Sequence, residues 1–273
     1  MSHTTRPLDY THHTVLVTGA SAGIGAEFAR QLASRGSSLV VAARRVGRLD
    51  ALAAQLRREH GVTVSTLPID LAQPGAGQTI RDQLDARGID VTSVVNSAGF
   101  ANLGPFHDAE LPDLMTEIAV DVNAVVEISH AFMPRLRQRG DGFLLNVASM
   151  AAYQGNPTMA IYGAAKAFVL SFTEALWHEA RDTGLRVLVL SPGATDTEFF
   201  DVAGDRADGG SRRMSPTAVV TTALSALERR NPPPSVIPGR SNRLSEVFGR
   251  VLGRRRAAEM VGSLMNRTAA RRP

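Results

Sequence analysis

Short, continuous apolar runs alternate with longer amphipathic stretches along most of the chain. Val15-Leu16-Val17, Leu39-Val40-Val41 and Phe143-Leu144-Leu145 are runs of the kind expected from strands buried on both faces. After the first of them, Phe28, Ala29, Leu32 and Ala33 recur at helical spacing and supply one apolar face. The pattern predicts strands near 14–18, 38–43, 62–67, 91–96, 142–148, 185–191 and 235–237, with helices between them. Gly36, Gly61, Gly88 and Gly184 close helices or turns. Such alternation specifies an α/β fold: a doubly wound, mostly parallel seven-stranded sheet with helices on both faces. Ligands then belong in a crevice at the carboxyl ends of the strands.

Composition narrows the picture without changing it. The 273 residues are 44% hydrophobic, enough for one large core, and no uninterrupted apolar stretch is long enough to span a membrane. Cysteine is absent, which excludes disulfides and thiolate chemistry. The seven histidines are scattered, and no metal site is expected. Residues 1–13 contain no apolar signal core, so a cytoplasmic location is expected. From Arg240 onward nine arginines stand against two glutamates, a net +7 where the whole chain carries +4. Leu244, Val247, Phe248, Val251 and Leu252 form an apolar helical stripe within that segment. Residues 1–239 thus read as one catalytic domain, and 240–273 as a basic, amphipathic helical extension. That extension either packs on the protein or on another subunit, or makes peripheral contact with an anionic membrane surface. Nucleic acid is not an expected partner, because no recognition motif accompanies the charge.

Candidate chemistry begins at Thr18-Gly19-Ala20-Ser21-Ala22-Gly23-Ile24-Gly25, a glycine-rich turn between strand and helix. Gly19, Gly23 and Gly25 let the backbone approach a pyrophosphate, which the helix N-terminus then holds. At the end of the second strand, where enzymes that use NAD place a carboxylate, the chain has Arg44 and Arg45, which suit a 2′-phosphate. NADP(H) is therefore expected over NAD(H). The only lysine, against 29 arginines, is Lys166, four residues after Tyr162. That spacing puts both side chains on one helix face. The lysine charge would bring the phenol toward proton transfer at neutral pH, a task for a compact ammonium.

These motifs, with Asp70-Leu71, Asn96-Ser97-Ala98-Gly99, Asn123, Ser149 and Pro192-Gly193 followed by Thr195 and Thr197, resemble the short-chain dehydrogenases/reductases in order and spacing. The resemblance covers about 14–239 and implies a Rossmann-type fold. It implies a catalytic tetrad in which Tyr162 is the general acid/base, Lys166 lowers its pKa and binds the nicotinamide ribose, and Ser149 orients the carbonyl. Asn123 would hold a water that relays protons to Lys166. Cofactor contacts are implied for Gly19, Ser21, Gly23, Ile24, Gly25, Arg44, Arg45, Asp70, Leu71, Asn96, Ala98, Gly99, Tyr162, Lys166, Pro192, Gly193, Thr195 and Thr197. Two departures are visible: Ser97 where a second asparagine is common, and Ala22 where some NADP-preferring members have a basic residue.

The expected activity is NADP(H)-dependent hydride transfer between nicotinamide and a carbonyl or secondary alcohol. The contrasting class is a cofactor-binding regulatory or scaffold protein without turnover. Segments 100–106, 150–158 and 199–214 are rich in Phe, Met, Leu and Ala and point to a moderately large, apolar substrate. The last of them, interrupted by Gly204, Gly209 and Gly210, reads as a mobile lid. The resemblance further implies a homodimer or homotetramer built on the helices around 111–139 and 157–182.

Overall fold

Strand β1 (Thr14–Thr18) lies inside a sheet of seven strands ordered β3-β2-β1-β4-β5-β6-β7. The others are β2 (Ser38–Ala43), β3 (Val64–Pro68), β4 (Ser93–Asn96), β5 (Phe143–Val147), β6 (Arg186–Leu190) and β7 (Ser235–Val236). The computed structural model describes residues 8–208 and 211–270. Every adjacent pair of strands is parallel, so the sheet is wholly rather than mostly parallel. The connections make it so: each strand-to-strand passage carries a helix, and such crossovers return the chain in the same direction.

Period-two alternation sends β1 and β2 side chains to opposite faces. Val15, Val17, Leu39 and Val41 meet helices α1 (Gly23–Ser34), α2 (Val46–His60) and α8 (Pro216–Leu227) in one buried cluster. Leu16, Val40 and Ala42 meet α3 (Ala76–Ala86) and α5 (Ala124–Arg139) in a second. Helix α6 (Ala160–Glu179) joins that second layer, where Trp177 packs and donates its indole N–H to the Pro232 carbonyl at 3.3 Å. Trp177 is therefore bound to the core, whereas Phe168 on the same helix remains 42% exposed.

Helix α4 (Leu111–Ile118) does not run smoothly into α5. One π-turn, Ala119–Asn123, joins them. Such insertions re-aim side chains within an otherwise helical run. After β6 come the short α7 (Phe199–Ala203), then α8 and β7, and finally α9 (Arg240–Leu252) and α10 (Arg254–Ala270). Gly209 and Gly210, part of the expected lid, lie outside the described residues.

Candidate active site

Strand order reverses between β1 and β4, because β1 leads sideways to β2 and β3 while β4 starts the run toward β7. The loops leaving these two strands must diverge there, which opens a crevice at the carboxyl ends. A cavity of about 590 Å³ occupies it.

At its base is the turn after β1. Gly19 has φ +67°, and a Cβ there would lie 2.8 Å from the Ala98 Cα. Only glycine allows this turn to press against the loop after β4. Thr18 Oγ1 locks the two loops by accepting from the N–H groups of Ser97 and Ala98 at 3.1 and 3.2 Å. Helix α1 begins with no side-chain cap at Ala22. Its first N–H groups are thus free to receive an anion. Ser21, Gly23, Ile24, Gly25, Arg44, Arg45, Asp70, Leu71, Ala98, Gly99, Pro192, Gly193, Thr195 and Thr197 all line the same cavity. The uncapped helix start, the close-packed glycine turn and an arginine pair at the far end fit a nicotinamide dinucleotide.

Glu198 is an arrangement that motif reading missed. Arg45 donates to Ser21 Oγ at 2.9 and 3.1 Å and to Glu198 Oε2 at 2.8 Å. Arg48 pairs with the other oxygen of Glu198. Hydrogen bonds from the two guanidinium groups hold the Glu198 carboxyl below its usual pKa. Arg45 thus clips the loop after β6 to the start of α2, while Arg44 is exposed at the cavity edge. Sequence gives no sign of the clip, since 153 positions separate Arg45 from Glu198.

At the other end of the cavity stand Ser149, Tyr162 and Lys166. Ser149 follows β5 and accepts from the N–H of Ala151 at 3.1 Å, which fixes its rotamer. Tyr162 and Lys166 share a face of α6, with the ammonium 5.5 Å from the phenol ring centroid. The Tyr162 ring also packs on Phe199, centroids 5.4 Å apart. Lys166 is almost wholly buried and donates to the Val147 carbonyl at 3.4 Å.

The main partner of Lys166 is a carboxylate. Asp121 Oδ2 lies 2.9 Å from Nζ, and the Asp121 side chain is 0% exposed. The N–H of Phe100 donates to Oδ1 at 3.1 Å. A Cβ on Gly99 would sit 2.9 Å from Nζ and 3.1 Å from both Asp121 oxygens, so glycine makes room for the pair. A second buried carboxylate, Glu117, accepts from the backbone and side-chain N–H of Asn102 at 3.1 and 2.9 Å. Burial opposes the Lys166 charge, but Asp121, Tyr162 and Glu117 outweigh it and hold the lysine above its ordinary pKa. Burial pushes the Tyr162 phenol up; Lys166 and the Ser149 hydroxyl pull it down, and Asp121 and Glu117 push it up again, with a net rise.

Two sequence expectations are corrected here. Asn123 is exposed, while Asp121, two positions earlier, takes the place beside Lys166. Two residues turn a helix by roughly 200°, so both cannot face the lysine. Asn96 is 2% exposed and does not line the cavity; its amide donates to Asn146 Oδ1 at 2.9 Å and ties β4 to β5. Asn146 in turn donates to Thr173 of α6. Asn96 therefore braces the sheet beneath the site. A polar residue at the last position of a strand buried on both faces gives no hint of which way it points.

A sequence model described as short chain dehydrogenase matches residues 13–207. The chain belongs to the short-chain dehydrogenase family. It is 38% identical over 197 residues to sulfoacetaldehyde reductase 2 of Chromohalobacter salexigens, covering 71% of this chain and 77% of that one. It is similar to a short-chain dehydrogenase from Sphingobium yanoikuyae solved with NADPH, at TM-score 0.78 and 36% identity over 88% of this chain and 94% of that one. It also resembles the bulky-bulky ketone specific alcohol dehydrogenase of Comamonas testosteroni, at TM-score 0.74 and 29% identity over 89% and 94%. As a member of this oxidoreductase family the chain has the fold and crevice for nicotinamide-dependent hydride transfer. Helices α9 and α10 lie beyond the matched segment, yet Asn242, Ser245, Met260 and Val261 from them complete the cavity wall.

Proposed function

We propose that this short-chain dehydrogenase uses NADP(H) to interconvert a moderately large, apolar carbonyl compound and its secondary alcohol, with Tyr162 as general acid/base. The observation that carries the reading is that Tyr162, Ser149 and Lys166 share one cavity with the glycine turn and Arg44. Bound NADPH would supply a hydride to the carbonyl carbon. Tyr162 delivers the phenolic proton to the oxygen, and the Ser149 hydroxyl holds that oxygen in place. Lys166 presents its ammonium to the cofactor ribose. Met150, Met159, Phe199, Phe200 and Met260 give the substrate end an apolar lining, and the ketone-specific Comamonas relative supports a bulky substrate. The test is NADPH and NADH oxidation against a panel of aliphatic and aromatic ketones, aldehydes and acyl-chain carbonyls. Turnover with NADPH supports the reading; NADPH binding with no turnover on any member returns weight to the regulatory class.

Arg44 is the guanidinium left available to a 2′-phosphate, since Arg45 already serves Ser21 and Glu198. Arg44→Asp is expected to weaken NADPH binding about 100-fold, by losing a charge-assisted contact and adding repulsion. NADH binding should change by less than about threefold, being blind to that charge in the absence of the phosphate. Fluorescence titration with both cofactors checks this, and equal losses would remove the NADP assignment.

Exposed Leu111 and Met115 on α4 and Phe168 on α6 support the homo-oligomer that the family resemblance implies. A different surface lies on α9. Leu244, Val247, Phe248 and Val251 are 71%, 57%, 56% and 82% exposed, while Glu246 is buried and Asn242 faces the cavity. The helix thus turns Asn242 and Glu246 inward and its apolar stripe outward, and Arg240 and Arg243 on α9 and Arg254, Arg255 and Arg256 on α10 are exposed. Charge favours an anionic lipid surface as the occupant: two copies meeting here would oppose like charges, whereas each arginine near anionic lipid gains about 1 kcal/mol. The protein should co-sediment with phosphatidylserine-containing vesicles at low salt and release at high salt, and Phe248→Glu should weaken the attachment. No sedimentation, with a dimer that Phe248→Glu splits, would assign the stripe to a second copy instead.

A further inference from the structure

The Lys166–Asp121 pair changes what the lysine does. A lone ammonium 5.5 Å from the Tyr162 ring would stabilise the phenolate. Here the ammonium has a fully buried carboxylate at 2.9 Å, and the pair carries no net charge whichever atom holds the shared proton. Glu117, from α4, adds a second buried carboxylate behind it and lines a separate cavity of about 300 Å³. The groups facing Asp121 are thus Lys166 and Tyr162 from α6, Glu117 from α4 and the Phe100 N–H.

We propose that Asp121 sets the working direction of the site: by offsetting part of the Lys166 charge from 2.9 Å it reinforces burial in keeping Tyr162 in the protonated form, as the proton donor for carbonyl reduction. Alcohol oxidation, which needs the phenolate, is then confined to alkaline solution. Asp121 is fully buried and does not line the cavity, so it acts through Lys166 and is a positioning residue. The inference rests on the proposed proton-transfer role of Tyr162, and its test is separable from the test of that role. Loss of turnover in Tyr162→Phe addresses the role; the titration of the phenol addresses Asp121.

The primary measurement is the ultraviolet phenolate titration of the cofactor-free protein, with Tyr162→Phe subtracted to isolate Tyr162. In the wild-type protein the phenolate should form at or above the ordinary tyrosine value of about 10. In Asp121→Asn, which keeps the shape and removes the charge, it should form roughly one to two pH units lower. The acid limb of alcohol oxidation should move down by the same interval, while Asp121→Glu restores the wild-type profile. Wild-type phenolate forming near neutrality would overturn the proposal, and that result needs no Asp121 variant to fold. A folded Asp121→Asn protein that loses turnover at every pH without moving either titration would also overturn it, leaving Asp121 a purely structural role.

Discussion

Tyr162→Phe should lower kcat by about 10²–10⁴, the range for removing a positioned proton donor. NADPH affinity should stay within about twofold, because uniform binding does not depend on a group used only in the transition state. The structure explains why the loss should be confined to chemistry. The Tyr162 ring contributes packing against Phe199 at 5.4 Å between centroids, and phenylalanine keeps that ring. Lys166 holds its place through Asp121 and the Val147 carbonyl, neither of which needs the phenolic oxygen. Ser149 is held by the Ala151 N–H. Steady-state turnover and fluorescence titration of NADPH, made on the same preparation, separate the two effects. Turnover near the wild-type rate would remove Tyr162 from proton transfer.

Lys166→Met should have the largest effect on stability. It leaves Asp121 buried and without its counter-charge, a loss of about 3–5 kcal/mol in comparable pairs. In a domain of this size that is a fall in Tm of roughly 10 °C. The effect has a sign in pH. Burial already pushes the Asp121 carboxyl up, and removing the ammonium removes the main opposing pull. The folded variant therefore binds a proton at Asp121 more tightly than the unfolded chain. Its stability is greatest below the unfolded carboxylate value of about 4 and falls as pH rises toward the folded pKa, by about 1.4 kcal/mol per unit. Urea unfolding at about pH 5 and pH 8 should show the variant closest to wild type in acid. Lys166→Met/Asp121→Leu should regain much of the loss, since an apolar pair replaces the orphaned charge. A single variant as stable as wild type at both pH values would mean that Asp121 finds another partner or takes up a proton at little cost.

The fold was legible because its signals are local. Val15-Leu16-Val17 and Leu39-Val40-Val41 are apolar at every position, which for short runs means a strand covered on both faces. The strands observed lie close to those expected from such runs. The glycine turn and the Tyr162–Lys166 spacing were legible for the same reason, since each is set by a few neighbouring residues. The Asp121–Asn123 choice was not. Both are polar residues in an apolar stretch, two positions apart, and the π-turn over Ala119–Asn123 decides which one faces Lys166. That turn packs against α6, a contact that no local period encodes.

Residue order alone determined the parallel α/β architecture, the crevice with its glycine turn, and the placing of Tyr162 and Lys166 on one helix face, because these follow from short apolar runs, a local glycine motif and the 3.6-residue helical period. Tertiary structure alone decided that Asp121 pairs with the lysine and that Asn96 braces the sheet. It also decided that Glu198 clips Arg45, and that α9 turns its apolar stripe outward while Asn242 and Ser245 complete the cavity. Each of these joins side chains from different elements, so each is settled by the direction in which packed elements point their residues. That direction belongs to the assembled core, where burial makes an unpaired polar group costly and leaves few arrangements in which every charge has a partner.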